Sequence, residues 1–142
     1  MDENPTNVII AGLMTSIWEI CGEGSYPIWR SVADIFYDLI AAKNDMNSYE
    51  SSLAAVKDYW EKYDTLKELN FDLDDGEGTI KAIGCAFMPI VDELDARGVN
   101  EEHNCPFFNT SLIAIENISG DIFEWERKRE EYGNCTAHIK RI

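Results

Sequence analysis

Apolar side chains recur every three to four residues through the first half of the chain, and this spacing predicts helices there. Asn4 and Pro5 predict the start of the first helix, since asparagine caps free N–H groups and proline suits the first helical position. The apolar positions of this helix are Val8, Ile9, Leu13, Ile17 and Ile20. Gly22 and Gly24 predict its end, because glycine adopts the left-handed conformation of a helix C-terminus without steric cost.

Two further helices are expected before the pattern changes. The second begins near Ser25 or Pro27, and its broad apolar stripe favours a central, largely buried helix. That stripe contains Ile28, Val32, Ile35, Phe36, Leu39 and Ile40. Asn47 and Glu50 form a capping-box pattern that predicts the start of a third helix. Its apolar positions are Leu53, Val56, Trp60 and Tyr63, with a weaker continuation through Leu66 and Leu69 to Asn70.

Beyond Asn70 the apolar positions alternate, as in half-buried strands. The turn sequence DDGEG predicts a hairpin that ends at Cys85. Pro89 predicts a short helix that stops near Gly98, and a further helix through Leu112, Ile113, Ile115 and Ile118 ends at Gly120. Strands are then expected over residues 122–129, with Phe123, Trp125 and Arg127 on one face, and over CTAHIKRI. The order ααα–ββ–αα–ββ predicts one α+β domain over residues 1–142, with N-terminal helices packed on a small antiparallel sheet.

The charge of the chain narrows the range of partners. Twelve basic residues against 27 acidic ones give a formal net charge of -15, which disfavours binding to nucleic acid or to anionic membrane surfaces. No apolar run approaches the roughly 20 residues that a membrane span requires, so membrane insertion is not expected. The acidic start MDENPTN lacks the positive charge of a signal peptide, and a cytoplasmic location with reduced thiols is expected.

Three cysteines and a histidine at the edges of predicted elements form a possible metal-ligand set. Cys85, Cys105, Cys135 and His138 provide three thiolates and an imidazole, which suit tetrahedral zinc or iron. In an ideal strand Cys135 and His138 point to opposite faces, so both bind one ion only if a bulge or turn intervenes; His103 is the substitute ligand. The alternative is that the cysteines are small buried hydrophobic residues.

Several large side chains are candidates for an apolar ligand pocket. The aromatic candidates are Trp18, Trp29, Phe36, Trp60 and Phe87, with Tyr26 beside them, and the alternative is that these rings form the core. Arg30 can hold a ligand carboxylate in a bidentate pair or pair with Asp34 one turn later. Glu116, Asp121, Glu124 and Glu126 are close in sequence only, and that proximity does not define an acid–base catalyst.

Three stretches resemble the 4-vinyl-reductase-type domain, a small-molecule-binding module predicted to accept hydrocarbons. They are IWEICGEGSYPIWRSVADIFYDLI, GTIKAIGCAFMPIVDEL, and the region from NCPFFNTSLIAIENISGDIFEWERK to CTAHIKRI. That family shares its architecture with TRAPP transport-complex subunits, the heme-NO-binding domain and a thiazoline-carboxylate hydrolase family. The chain departs from it near the end, where Cys135, Ala137 and His138 stand in place of a second cysteine and a phenylalanine.

The resemblance implies helices packed over an antiparallel sheet, a lipophilic pocket between the layers, and a homodimer. The first hypothesis is therefore a cytoplasmic ligand-binding or sensor domain for an apolar small molecule, with a possible zinc site. One alternative is a hydrolase or reductase that uses Cys105 or Cys135 as nucleophile or metal ligand. Another is a structural subunit of a larger assembly. Cys21 is either core or, as the transport-complex relatives imply, a thiol facing the pocket.

Overall fold

A computed structural model describes residues 4–142 of the chain as one α+β domain. In this part of the chain there are five α-helices and four β-strands. In order they are α1 (Pro5–Cys21), α2 (Tyr26–Ala41), α3 (Tyr49–Lys62), β1 (Glu68–Asp74), β2 (Glu77–Ile83), α4 (Met88–Ala96), α5 (Pro106–Ser119), β3 (Phe123–Arg129) and β4 (Cys135–Arg141). A 3-10 turn over Gly22–Ser25 joins α1 to α2. The predicted fold class and the predicted order of elements are both confirmed.

The four strands form one antiparallel sheet in the order β1-β2-β4-β3. Two hairpins, β1–β2 and β3–β4, are joined by pairing between β2 and β4. Opposite residues across the centre of the sheet include Ile80 and Ala137, both fully buried. The core face continues through Leu69 on β1 and Trp125 on β3, while the other face carries mostly exposed polar side chains.

Helix α5 lies at the centre of the fold. Nine consecutive residues, from Phe107 to Ile115, are buried, because α2 and α3 pack against this helix and the sheet covers another side. Helix α2, expected to be the central buried helix, instead exposes Ile35 and Leu39. Its apolar stripe is wider than the surface that packs against it.

Helix α1 belongs to a second, smaller cluster. It packs on α4, where Ala11 contacts the buried side chains of Ile90, Leu94 and Val99. The Asn4 side chain accepts a hydrogen bond from the backbone N–H of Thr6, as expected for an N-cap. No helix within residues 4–142 is long and apolar enough to cross a membrane.

The boundaries of α3 differ from those predicted. The capping box is formed by Ser48 and Ser51, one residue beyond the expected pair. The helix ends at Lys62, and its predicted continuation to Asn70 is wrong because Leu69 belongs to β1, where it pairs with Ala82. The side chain of Leu69 lies on the core face of the sheet, where it is fully buried beneath the helices.

Candidate functional site

A cavity of about 270 Å³ lies between the helices and the core face of the sheet. Its wall is built from α1, α2, α4, the start of α5, β3 and the start of β4, together with the corner after β2 and the loop between α4 and α5. The apolar side chains in the wall include Met14, Trp29, Val32, Phe36, Phe87, Leu94, Phe107 and Phe108. Most of the wall is therefore apolar, and polar groups are concentrated in one region of it.

Three cysteines from distant parts of the sequence line this cavity. The corner after β2 is fixed to the start of β4, because the N–H of Cys85 donates to the carbonyl of Gly133 at 2.9 Å. The N–H of Gly84 donates to Oδ1 of Asn134 at 3.1 Å, which adds a second link. Cys135 then begins β4 opposite Ala82.

The third thiol, Cys105, stands immediately before Pro106 at the start of α5. Proline at the first helical position fixes where the helix starts, and α5 is fixed in the core by its buried residues. The sequence left open whether the three cysteine corners meet in space, and in the structure all three thiols line one cavity.

Burial makes these thiols weakly acidic. Removal from water raises the pKa of Cys85 to about 11, and the burial of Cys105 raises its pKa further. Burial also raises the pKa of Cys135, although the nearby guanidinium of Arg127 opposes this shift. Near neutral pH all three groups are neutral thiols, which behave as small apolar side chains and poor nucleophiles.

His138 does not lie with the cysteines. The pairing of β4 with β2 is uninterrupted from Cys135 to Ile139, so neighbouring side chains alternate between the two faces. Cys135 faces the cavity, whereas His138 is exposed on the other face. The substitute, His103, packs its ring against Tyr26 at 4.3 Å and Trp125 at 5.7 Å between ring centroids.

The donors of the predicted metal-ligand set are not grouped around one point. Within residues 4–142, no group of three or more histidine, cysteine, aspartate or glutamate side chains is arranged to hold a metal ion. The three thiols have the chemistry of zinc or iron ligands, but their arrangement in this structure does not form such a site.

Half of the predicted ligand-binding residues line the cavity. Trp29, Phe36 and Phe87 are in its wall. Trp60 is not in the wall, because it is 2% exposed and packs edge-on against Phe107 in the main core. The alternative assigned to such rings, that they form the core, applies to Trp60.

Trp18 and Arg30 also lie outside the wall. Trp18 packs on the small cluster between α1 and α4, with its ring 6.4 Å from that of Tyr26. Nη2 of Arg30 contacts Oε1 of Glu116 at 2.5 Å. The guanidinium therefore pairs with Glu116 across α2 and α5, and not with Asp34 one turn away.

A polar section of the wall was missed by the sequence analysis. It is formed by Glu101 and Asn104 from the loop between α4 and α5, and by Arg127 and Arg129 from β3. Arg127 donates from both terminal nitrogens to Glu101, at 2.5 and 2.7 Å. The available signal was the predicted strand alternation, which placed Arg127 on the same face as apolar Phe123 and Trp125 and so required a buried anionic partner.

Arg129 completes this network. It donates to both carboxylate oxygens of Asp95, at 2.7 and 3.1 Å, and also to Glu101. Hydrogen bonding to Asp95 raises the pKa of Arg129, and the hydrogen bond with Glu101 raises that of Arg127 against the effect of burial. Two cations and two anions are thus held together at one side of the cavity.

Asn104 is the wall residue whose side-chain oxygen has no hydrogen-bond partner among the described residues. It is 9% exposed, and its Oδ1 is buried and accepts no hydrogen bond within the described chain. A buried acceptor without a donor costs about 1–3 kcal/mol, so such an atom in a cavity wall is a candidate ligand contact.

The fold and its cavity define the class of protein: an α+β domain with a largely apolar cavity between its helices and an antiparallel sheet. Residues 6–142 match the family described as "Putative rubredoxin C-terminal domain". Because this match covers nearly the whole sequence, the chain belongs to that family.

One similar protein has rubredoxin in its name. It is a "Putative rubredoxin" from Methanothermobacter thermautotrophicus, 21% identical over 131 residues, which are 92% of this chain and 69% of that protein. The family shown is thus the one with rubredoxin in its description, and the resemblance to 4-vinyl-reductase-type domains stays a prediction.

Proposed function

We propose that this domain binds a small apolar molecule in the cavity between the helices and the sheet. The observation that carries the proposal is the cavity itself, about 270 Å³ with a wall that is mostly apolar. A cavity of roughly 150 Å³ holds one benzene, so this one has room for a larger, two-ring compound. Ligand pockets have this general composition, apolar with a few polar groups that orient the ligand.

The state of the thiols favours binding over covalent catalysis. Cys85, Cys105 and Cys135 are neutral near pH 7, since burial raises the pKa of each. A cysteine nucleophile requires a thiolate, which an electropositive and partly exposed environment normally supplies. The hydrolase or reductase alternative therefore has less support than the binding domain.

Equilibrium dialysis with naphthalene tests the proposal. Val32 is a half-buried residue of the wall, and Val32→Trp should fill the space and abolish binding. Ile35→Trp is the matched control, because this position lies three residues further along the same helix and is 63% exposed. Saturable binding to the wild type and to the control, but not to Val32→Trp, would support the proposal. Equal uptake by all three proteins, or by none, would refute it.

A metal-linked role is the second candidate. It is favoured by the word rubredoxin in the family description, although the three cysteines that line the cavity are not arranged as a metal site within residues 4–142. The test is the metal content of protein purified without an affinity tag, in parallel with a Cys105→Ser variant. About one iron or zinc per chain, lost in the variant, would support this role, and metal-free protein that binds naphthalene would refute it.

We also propose that the domain is a homodimer formed through α1. The outward side of α1 carries Ile9, Leu13 and Ile20, which are 62%, 59% and 84% exposed. Glu19 is the only charged residue between Pro5 and Cys21, in a chain with a net charge of -15. Two copies of this acidic chain approach with least repulsion at such an uncharged face, and a two-fold dimer matches the same patch on both copies.

A further inference from the structure

We infer that the cavity selects an uncharged ligand that carries a hydrogen-bond donor, such as a hydroxyl group, and that Asn104 accepts this hydrogen bond. The inference rests on the proposed function, because it assigns the chemical class of the molecule that the cavity binds. It is carried by two features of the polar wall: the balance of its charges and the unpartnered amide oxygen.

The charges in the wall already satisfy one another. Both terminal nitrogens of Arg127 are committed to Glu101, and both terminal nitrogens of Arg129 are committed to Asp95 and Glu101. The side chains of Arg127 and Glu101 are only 9% and 6% exposed, so little water is present to solvate an additional ion. A ligand carboxylate or ammonium group would add an unpaired charge beside a balanced network, which is costly in a buried place.

The unpartnered group in the same wall is an acceptor. The amide oxygen Oδ1 of Asn104 is buried without a donor, whereas both carboxylate oxygens of Glu101 in the same wall accept from the guanidinium of Arg127. The terminal torsion of asparagine is broad, so the amide of a wall residue can turn toward a ligand without leaving its rotamer. A donor on the ligand relieves the cost of the unsatisfied oxygen, and an ether or an anion does not.

Four two-ring probes separate these classes: naphthalene, 2-naphthol, 2-methoxynaphthalene and 2-naphthoate at pH 7. Affinities are measured by equilibrium dialysis with the full chain. We expect 2-naphthol to bind more tightly than 2-methoxynaphthalene, and 2-naphthoate to bind at least about tenfold more weakly than naphthalene. All four probes contain the same naphthalene ring system, so differences in their affinities reflect the substituent.

The variant Asn104→Leu tests whether the side chain of Asn104 accepts the hydrogen bond from the ligand. In this variant the ratio of 2-naphthol affinity to naphthalene affinity should fall by roughly three- to tenfold, which is the usual contribution of one hydrogen bond to binding. The affinity for naphthalene itself should be retained. Folding should survive, because the exchange removes an unsatisfied polar atom. Asn70→Leu is the control: Asn70 is exposed on β1, its side chain is hydrogen-bonded outside the cavity, and its exchange should leave the ratio unchanged.

The outcomes distinguish this inference from the function on which it rests. An unchanged affinity ratio in Asn104→Leu, or tightest binding by 2-naphthoate, would overturn the inferred ligand class. In that case the binding function would still be supported if naphthalene binds to the wild type and not to Val32→Trp. Failure of every probe to bind would overturn both. A preference for 2-naphthol in the wild type that disappears in Asn104→Leu supports the inference.

Discussion

Arg127 and Glu101 form a bidentate ion pair that is almost completely removed from water. Two nitrogen–oxygen distances of 2.5 and 2.7 Å join the guanidinium to the carboxylate, and the side chains are 9% and 6% exposed. Arg127 lies on β3 and Glu101 on the loop between α4 and α5, so the pair fixes that loop against the sheet. Because both residues line the cavity, the pair also sets the shape of its polar side.

Removing one charge of this pair should destabilise the fold strongly. Glu101→Gln leaves the buried guanidinium of Arg127 without its anion, and a loss of about 3 kcal/mol in the free energy of unfolding is expected. Urea denaturation followed by circular dichroism measures the loss. The double variant Glu101→Leu with Arg127→Met should recover much of it, since apolar side chains can replace a buried pair.

An exposed pair provides the matched control. Arg97 and Glu93 are in contact at 2.7 Å one turn apart on the surface, and the side chain of Arg97 is 53% exposed. Water screens such a pair, so Arg97→Ala should cost less than about 1 kcal/mol. Equal losses for Glu101→Gln and Arg97→Ala would show that the pair at the cavity contributes no more than a surface contact.

The four cysteines should react with iodoacetamide in two groups. Cys21 is exposed, whereas Cys85, Cys105 and Cys135 are partly or largely covered in the cavity wall. A pKa of about 11 for Cys85, against an ordinary value near 9, lowers its thiolate fraction at pH 8 on the order of 100-fold. Mass spectrometry of the native protein should therefore show rapid addition of one label and slow addition of three.

Two controls complete that experiment. Cys21→Ser should remove the rapid phase, and unfolding in guanidinium chloride should make all remaining thiols react at similar rates. Rapid labelling of Cys105 in the native protein would contradict the assignment of neutral cavity thiols and would restore the nucleophile hypothesis.

The buried thiol of Cys85 should make the free energy of unfolding decrease at alkaline pH. The folded-state pKa of Cys85 lies above its ordinary value, so between pH 9 and about 11 the folded protein holds a proton that the unfolded chain has lost. The contribution of the neutral buried thiol is complete below pH 9 and decreases as the pH rises through 11. The wild type should therefore lose unfolding free energy in this window faster than Cys85→Ala. Parallel pH profiles for the two proteins would refute the shift.

The sequence was sufficient to predict the elements and their order, because local signals determine both. The helix start at Asn4, the turn before β2 and the alternation along β3 each depend on neighbouring residues, and the structure contains them. The third helix was extended too far, since Leu69 fits a helical spacing and also fits the alternation of a strand. Only the pairing of Leu69 with Ala82 decides between the two.

The site was less predictable because its parts meet through tertiary packing. Trp29 and Trp60 are both large aromatic residues in predicted helices, and the sequence pattern does not distinguish the one that lines a cavity from the one that fills the core. The positions of the three cysteines at element ends allowed them to converge without requiring it, and only the packed structure shows that they line one cavity. The partners of Arg127 and Arg30 lie 26 and 86 residues away, beyond the reach of local patterns.

The exposed stripe of α1 leads to a prediction about assembly. Ile9, Leu13 and Ile20 recur at helical spacing on one side of α1, and each is more than half exposed. If two copies bury this stripe against each other, Leu13→Glu places a charge in the interface and adds repulsion to a chain that already carries -15. Sedimentation equilibrium should then show a dimer for the wild type and a monomer for Leu13→Glu.

Ile122→Glu is the control, because Ile122 is 66% exposed just before β3, outside α1, and this variant should remain a dimer. A wild type that stays monomeric throughout the concentration range would refute the dimer.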